Sequence, residues 1–183
     1  MTFSEVQMWI DRLVEVTHWE PLQAEMSWSA TEERLGLSLP EDYKRLAAVF
    51  GKGLFSDFLQ ILSVAPGGAF DLATTWQSFS ADAPAEGDDP LYAPYRMYRP
   101  GQVGLIPWGF GQTECEYYWL ANRKPADEWP IVTRGRGYRE WRQLDMSTPE
   151  FIYRVVADPE FEPFSIAALV SEPFFAPAPE IAF

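Results

Sequence analysis

Few residues in this chain have the types and spacing that chemistry demands. The single histidine, His18, stands beside Trp19, and no Gly-x-Ser-x-Gly elbow or other nucleophile signature accompanies it. It reads as a surface side chain. The single cysteine, Cys115, is flanked by Glu114 and Glu116, whose charges disfavour the thiolate a reactive cysteine needs. One Cys and one His do not supply the ligands of a tetrahedral zinc site. Glu86-Gly87-Asp88-Asp89 is the densest acidic group, yet it lacks the alternating spacing and trailing Glu of a calcium loop. Arg134-Gly135-Arg136-Gly137 has the composition of a phosphate cradle but matches no nucleotide-binding loop. The expectation is therefore no catalytic residue, no metal and no cofactor, with a hydrolase working through the acidic loop as a remote alternative.

Composition narrows the field. The 183 residues fit one domain, and the 16% aromatic share favours a packed core over disorder. Mean hydropathy is -0.20, and no apolar run approaches the ~20 residues that span a bilayer, so no membrane role is expected. The first amphipathic segment carries Glu5, Asp11 and Arg12, unlike a secretory signal. One cysteine excludes an internal disulfide and suggests a reducing, cytoplasmic setting. Twenty-seven acids against 14 bases give a net charge of -13, which argues against nucleic-acid binding, because phosphate contacts need clustered Lys and Arg. The charge is uneven, with no base between Gly53 and Tyr95 and none after Arg154.

The elements that would position these residues follow from periodicity. Val6, Trp9, Ile10, Leu13 and Val16 make one stripe of a helix over 4–17, opened by a Ser4/Gln7 capping box. Ser29 and Glu32 suggest a second box, Gly36 a left-handed helix end, and Pro40 the first position of another helix carrying Tyr43, Leu46, Ala47 and Phe50. Residues 55–64 read as one strand and 70–80 as a helix. A long acidic loop follows from 81 to 100. Residues 103–108 and 116–121 form a hairpin turning at Gly109-Phe110-Gly111, with further strands over 131–133 and 138–144. Ser147 and Glu150 open a last core helix with Phe151, Ile152, Val155 and Val156 inward. The Pro-rich end from 158 to 183 reads as an extension to a 1–157 domain, frayed beyond Ala176. Helices first, strands in the middle and a helix last predict an α+β fold with a mainly antiparallel sheet flanked by helices.

The ordered set Glu32-x-x-Leu35-Gly36-x-x-Leu39-Pro40-x-Asp42-Tyr43, Leu105-Ile106-Pro107-Trp108-Gly109, Tyr118-Trp119-Leu120, Trp129-Pro130-Ile131-Val132, Trp141 and Glu150-Phe151 resembles the SMI1/KNR4 (SUKH) superfamily over residues 28–157. Where that family often has an Asn-Gly-Asp-like triplet, this chain has Thr113-Glu114-Cys115. The resemblance implies the same α+β architecture and a non-enzymatic protein-binding role. For members of the immunity type, that role is neutralising a cognate polymorphic toxin, often a nuclease, inside the producing cell. A regulator or scaffold of the same fold without a toxin partner is the alternative. The expected partner is a basic toxin domain, and the protein itself a monomer or weak dimer. The residues expected to meet the partner are Asp82, Glu86, Asp88, Asp89, Glu114 and Glu116, with an aromatic anchor from Trp76, Tyr92 or Tyr95 inside the charged rim.

Overall fold

The computed structural model describes residues 3–22, 25–64, 70–84, 90–112, 114–135 and 140–178. They form an α+β domain: helices α1 (Phe3–Thr17), α2 (Ser29–Leu35), α3 (Glu41–Phe50), α4 (Leu72–Asp82) and α5 (Thr148–Ala157), and strands β1 (Gly53–Phe55), β2 (Leu59–Ile61), β3 (Gly104–Gly111), β4 (Glu116–Ala121), β5 (Ile131–Arg134), β6 (Trp141–Leu144) and β7 (Phe175–Pro177). One antiparallel sheet runs in the order β6-β5-β4-β3-β2-β1-β7. Every neighbouring pair except β7–β1 is joined along the chain or by a hairpin-like return, so the sheet is a meander closed by its last strand.

Period-2 alternation divides the sheet into two faces. Tyr117, Trp119, Ile131 and Thr133 share one face by register, and Glu116, Tyr118, Val132 and Arg134 the other. The first face meets α1, α3 and α5. Tyr43 of α3 sits edge-on to Trp119 at 4.8 Å, and Phe151 of α5 sits edge-on to Trp108 at 5.7 Å. Trp119 Nε1 donates to Thr148 Oγ1, so this buried ring also satisfies its polar atom. The second face meets α4 and the 90–98 segment, with Phe79 over Phe110 and Tyr92 against Tyr118. One apolar cluster runs through both layers.

Helix boundaries differ from the sequence reading in detail. Ser29 does not cap α2; the N-cap is Trp28, and Glu32 instead accepts from the Leu39 N–H and pairs with Lys44. Glu32 thus ties the end of α2 to α3, a longer-range use than a capping box. Gly36 closes α2 at φ 72, the left-handed conformation that glycine adopts without a Cβ clash. Pro40 is the N-cap of α3 rather than its first residue. Gln7 directs its amide to Asp11 and Arg45, away from the Ser4 backbone. Ser147 does cap α5, accepting from the Glu150 N–H.

The strands hold three corrections. Residues 55–64 are not one strand: β1 ends at Phe55, the chain folds back at Ser56-Asp57, both at positive φ (53 and 52), and β2 runs Leu59–Ile61. No Gly or Asn marks that turn, so composition hid it. Gly109-Phe110-Gly111 is not a turn but the end of β3; the chain reverses beyond Gly111, before β4 starts at Glu116, and a bulge at Trp108 shifts the register. The C-terminal segment is not frayed at Ala176: Phe175–Pro177 pairs with β1, and Phe175 packs on Trp19, Phe50 and Phe55. Gly53 permits that docking, because a Cβ there would overlap the Ala176 carbonyl and the Phe175 ring.

Candidate partner-binding surface

The antiparallel register places three hairpin turns at one end of the sheet. Gln112 N–H donates to Phe58 O (2.9 Å), joining the β3–β4 turn to the β1–β2 turn. Ser56 N–H donates to Phe174 O (2.7 Å), drawing in the strand that enters β7. Gly135 N–H donates to Glu140 O across the mouth of the β5–β6 connection. Asp57, Glu114, Glu140 and Glu172 are exposed and converge at this end. Within the same connection, Arg136 and Arg139 lie outside the described residues. Asp57 and Glu114 hold left-handed backbone, φ 52 and 61, a conformation that costs an L-residue roughly 1 kcal/mol.

The residues expected to meet a partner separate into distinct groups. Asp82 ends α4 and is exposed, as is Glu114. Glu86, Asp88 and Asp89 lie outside the described residues. Glu116 is not a free surface acid: Arg134 holds it with Nε at 2.6 Å and Nη2 at 2.5 Å, and the Tyr118 hydroxyl donates to it at 2.6 Å. Trp76 and Tyr92 are buried, at 7% and 3% exposure, so neither stands on the surface as an anchor. Trp76 Nε1 donates to Tyr98 O, and Tyr92 packs against Tyr118 and under the Arg134 guanidinium. Tyr95 alone of the three rings is half-buried, edge-on to Trp141. Period-3.6 reading placed Trp76 on a helix stripe but not the 90–98 segment above it, which covers the ring.

Arg134 organises this face. Its guanidinium is 2% exposed, makes a two-pronged pair with Glu116, donates to Leu91 O (2.7 Å) and lies over the Tyr92 and Trp141 rings. A planar cation with several donors suits this position, since it can pair, bond and stack together. The arrangement clamps the 90–98 segment onto the sheet. Burial and the neighbouring Glu116 charge push the Tyr118 hydroxyl well above its ordinary pKa, which keeps it neutral and donating. The composition of 134–137 suggests a basic turn pairing with the protein's own acids; Arg134 does pair with one, Glu116, but from the end of β5, where register sets the partner. A second ion pair missed from the sequence joins α2 to α4: Arg34 contacts Asp71 at 2.9 Å, and Asp71 also accepts from the Thr74 N–H as N-cap of α4.

At the opposite end of the sheet lies a groove of about 640 Å³ between the 36–38, 98–103 and 122–129 segments. Arg123 and Lys124 are exposed on its wall. His18 is exposed at φ 50, and Cys115 is half-buried. Among the described residues no group of three or more His, Cys, Asp or Glu is placed to hold a metal, and no helix is long and apolar enough to cross a membrane.

The chain matches no family model, no curated protein and no solved structure. The likeness to SMI1/KNR4 proteins thus rests on the motif order in the sequence.

Proposed function

We propose that the protein is a non-enzymatic binding domain for a basic protein partner, and specifically an SMI1/KNR4-type immunity protein that neutralises a cognate polymorphic toxin inside the cell. The observation that carries this reading is how little of the acidic charge is taken up internally. Ion pairs among the described residues engage Glu32, Glu41, Asp71, Glu116, Glu150 and Asp158. Asp57, Asp82, Glu114 and Glu172 are exposed with no Lys or Arg within 4 Å among those residues. A toxin that cleaves nucleic acid must offer a basic cleft to phosphates. An acidic surface meets such a cleft quickly, because long-range attraction raises the encounter rate.

Two experiments test the reading. The tagged protein is used to capture partners from its native lysate at low and moderate salt; the expected outcome is a stoichiometric basic toxin domain, held more weakly as salt rises. No complex with any toxin, together with no protection on expression, would sink the proposal. With a partner in hand, the double variant Asp57→Lys/Glu114→Lys is expected to lower the association rate about tenfold at low salt and to flatten its salt dependence. An unchanged rate removes the steering argument.

A further inference from the structure

The groove at the far end of the sheet differs in charge from the rest of the molecule. The chain carries 27 acids against 14 bases, yet no Asp or Glu is among the described residues that line the groove. Its charged residues are Arg123 and Lys124, and both are exposed. Neither has a carboxylate within 4 Å among the described residues.

The loop that carries these cations is held from both sides. Asn122 Oδ1 accepts from the Lys124 N–H at 2.8 Å, and the Asn122 amide donates to Leu120 O at 3.3 Å. Trp129 Nε1 donates to Lys124 O at 3.0 Å, and the Trp129 N–H closes the turn on Ala126 O at 3.1 Å. The backbone beneath the cations is thus ordered before any ligand arrives, which lowers the cost of binding. Hydrocarbon lies alongside: Leu37 and Ala126 are half-buried and Val103 is 47% exposed. Tyr98 and Trp129 also line the groove, but at 4% and 8% exposure they offer little ring face to a ligand. The volume of about 640 Å³ lies within the roughly 300–1,000 Å³ of small-molecule sites, which combine apolar walls with a few convergent polar groups.

We propose that this groove binds an aliphatic monocarboxylate, with its carboxylate at Arg123 and Lys124 and its hydrocarbon body along Leu37, Val103 and Ala126. A guanidinium fork and an ammonium both donate to carboxylate oxygens, and such charge-assisted bonds are the stronger kind. The field of the whole molecule selects against higher charge. A net charge of -13 opposes a dianion more than a monoanion, so a phosphate monoester is the poorer ligand. A nucleotide base would need an exposed ring to stack on, and the rings here are covered. The assignment rests on the groove alone and stands whether or not the protein has a toxin partner.

The test is a titration of the whole protein at pH 7.5 and low salt, followed by backbone amide NMR. The probes are octanoate, octanol, acetate and octyl phosphate. Saturable shifts at Leu37, Val103 and Lys124 are expected with octanoate. Octanol keeps the body without the charge, and acetate the charge without the body; each should bind at least about tenfold more weakly. Octyl phosphate should bind about threefold more weakly. The pair Arg123→Gln/Lys124→Gln should weaken octanoate about tenfold, and Val103→Glu, which sets a carboxylate on the wall, by a similar factor. All three positions are exposed, so the fold should tolerate the changes. Arg96→Gln/Arg142→Gln removes two exposed cations outside the groove and should leave affinity within about twofold. Absence of saturable shifts, octanol or acetate binding as tightly as octanoate, or tighter binding of octyl phosphate would overturn the proposal. So would an Arg123/Lys124 variant that binds as the parent does, or an equal loss in the Arg96/Arg142 control.

Discussion

Two buried charged sites among the described residues are treated by the fold in opposite ways. On one face of the sheet, Arg134 and Glu116 answer each other through two short contacts, and every neighbour (Tyr118, Leu91, Tyr92, Trp141) adds to the match. On the other, Asp42 has the Thr148 and Tyr43 backbone donors but no cation within 4 Å among the described residues. The first arrangement ties the 90–98 segment to the sheet. The second maintains a charge at a cost to stability.

The comparison can be broken most forcefully at Arg134. Arg134→Ala leaves Glu116 buried without its cation and releases the Leu91 carbonyl, so we expect a loss of about 3–5 kcal/mol, read as a lower urea midpoint. A loss below 1 kcal/mol would show that the pair does not hold the sheet face together.

Asp42→Asn should act in the opposite direction. Burial foremost, reinforced by the Asp127 charge and opposed by the Thr148 and Tyr43 backbone donors, pushes the Asp42 carboxyl from 3.8 up to about 6. The folded protein therefore binds more protons than the unfolded chain between about pH 4 and pH 6. Stability contributed at Asp42 is greatest below pH 4 and declines as pH rises through that window. Asparagine can still accept from Thr148, so the variant should lose this decline and gain on the order of 1–3 kcal/mol at pH 7. Denaturation across pH 4–8 checks it. A destabilised variant with the parent's pH profile would place Asp42 in the same class as Arg134.

The smallest effect is expected at the sheet's acidic end. Asp57→Gly removes the strain of a left-handed L-residue and should raise the melting temperature slightly, with a gain of about 0.5–1 kcal/mol. A loss instead would mean that the Asp57 side chain holds the turn.

Helices were readable from the sequence because their information is local. The 3.6-residue spacing of Tyr43, Leu46, Ala47 and Phe50, or of Phe151, Ile152, Val155 and Val156, gives both the element and its buried face. The β3–β4 hairpin was readable for a similar reason. What escaped were facts of register and long-range docking. Ser56-Asp57 turns without glycine because Phe174 pins its backbone from a segment 118 residues later. Pro173 and Pro177 disguise β7, which as a three-residue edge strand tolerates them. Glu116 has a partner only because β4 and β5 pair residue 116 with residue 134. Of the expected surface site, the exposed acids Asp82 and Glu114 were legible. The inward turn of Trp76 and Tyr92 was not, because an aromatic residue beside an acidic loop has the same local sequence whether it anchors a partner or fills a core.

The pairing of β7 with β1 also sets an order of events during synthesis. Trp19, Phe50 and Phe55 leave the ribosome more than a hundred residues before Phe175, the ring that covers them. A nascent chain ending at residue 157 already contains α5 and six of the seven strands, but its β1 edge and these aromatic rings stand open. Unpaired strand edges invite pairing with other chains. The last short strand therefore works as a closing seam, and the interval before its arrival is when the nascent protein is most in need of a chaperone.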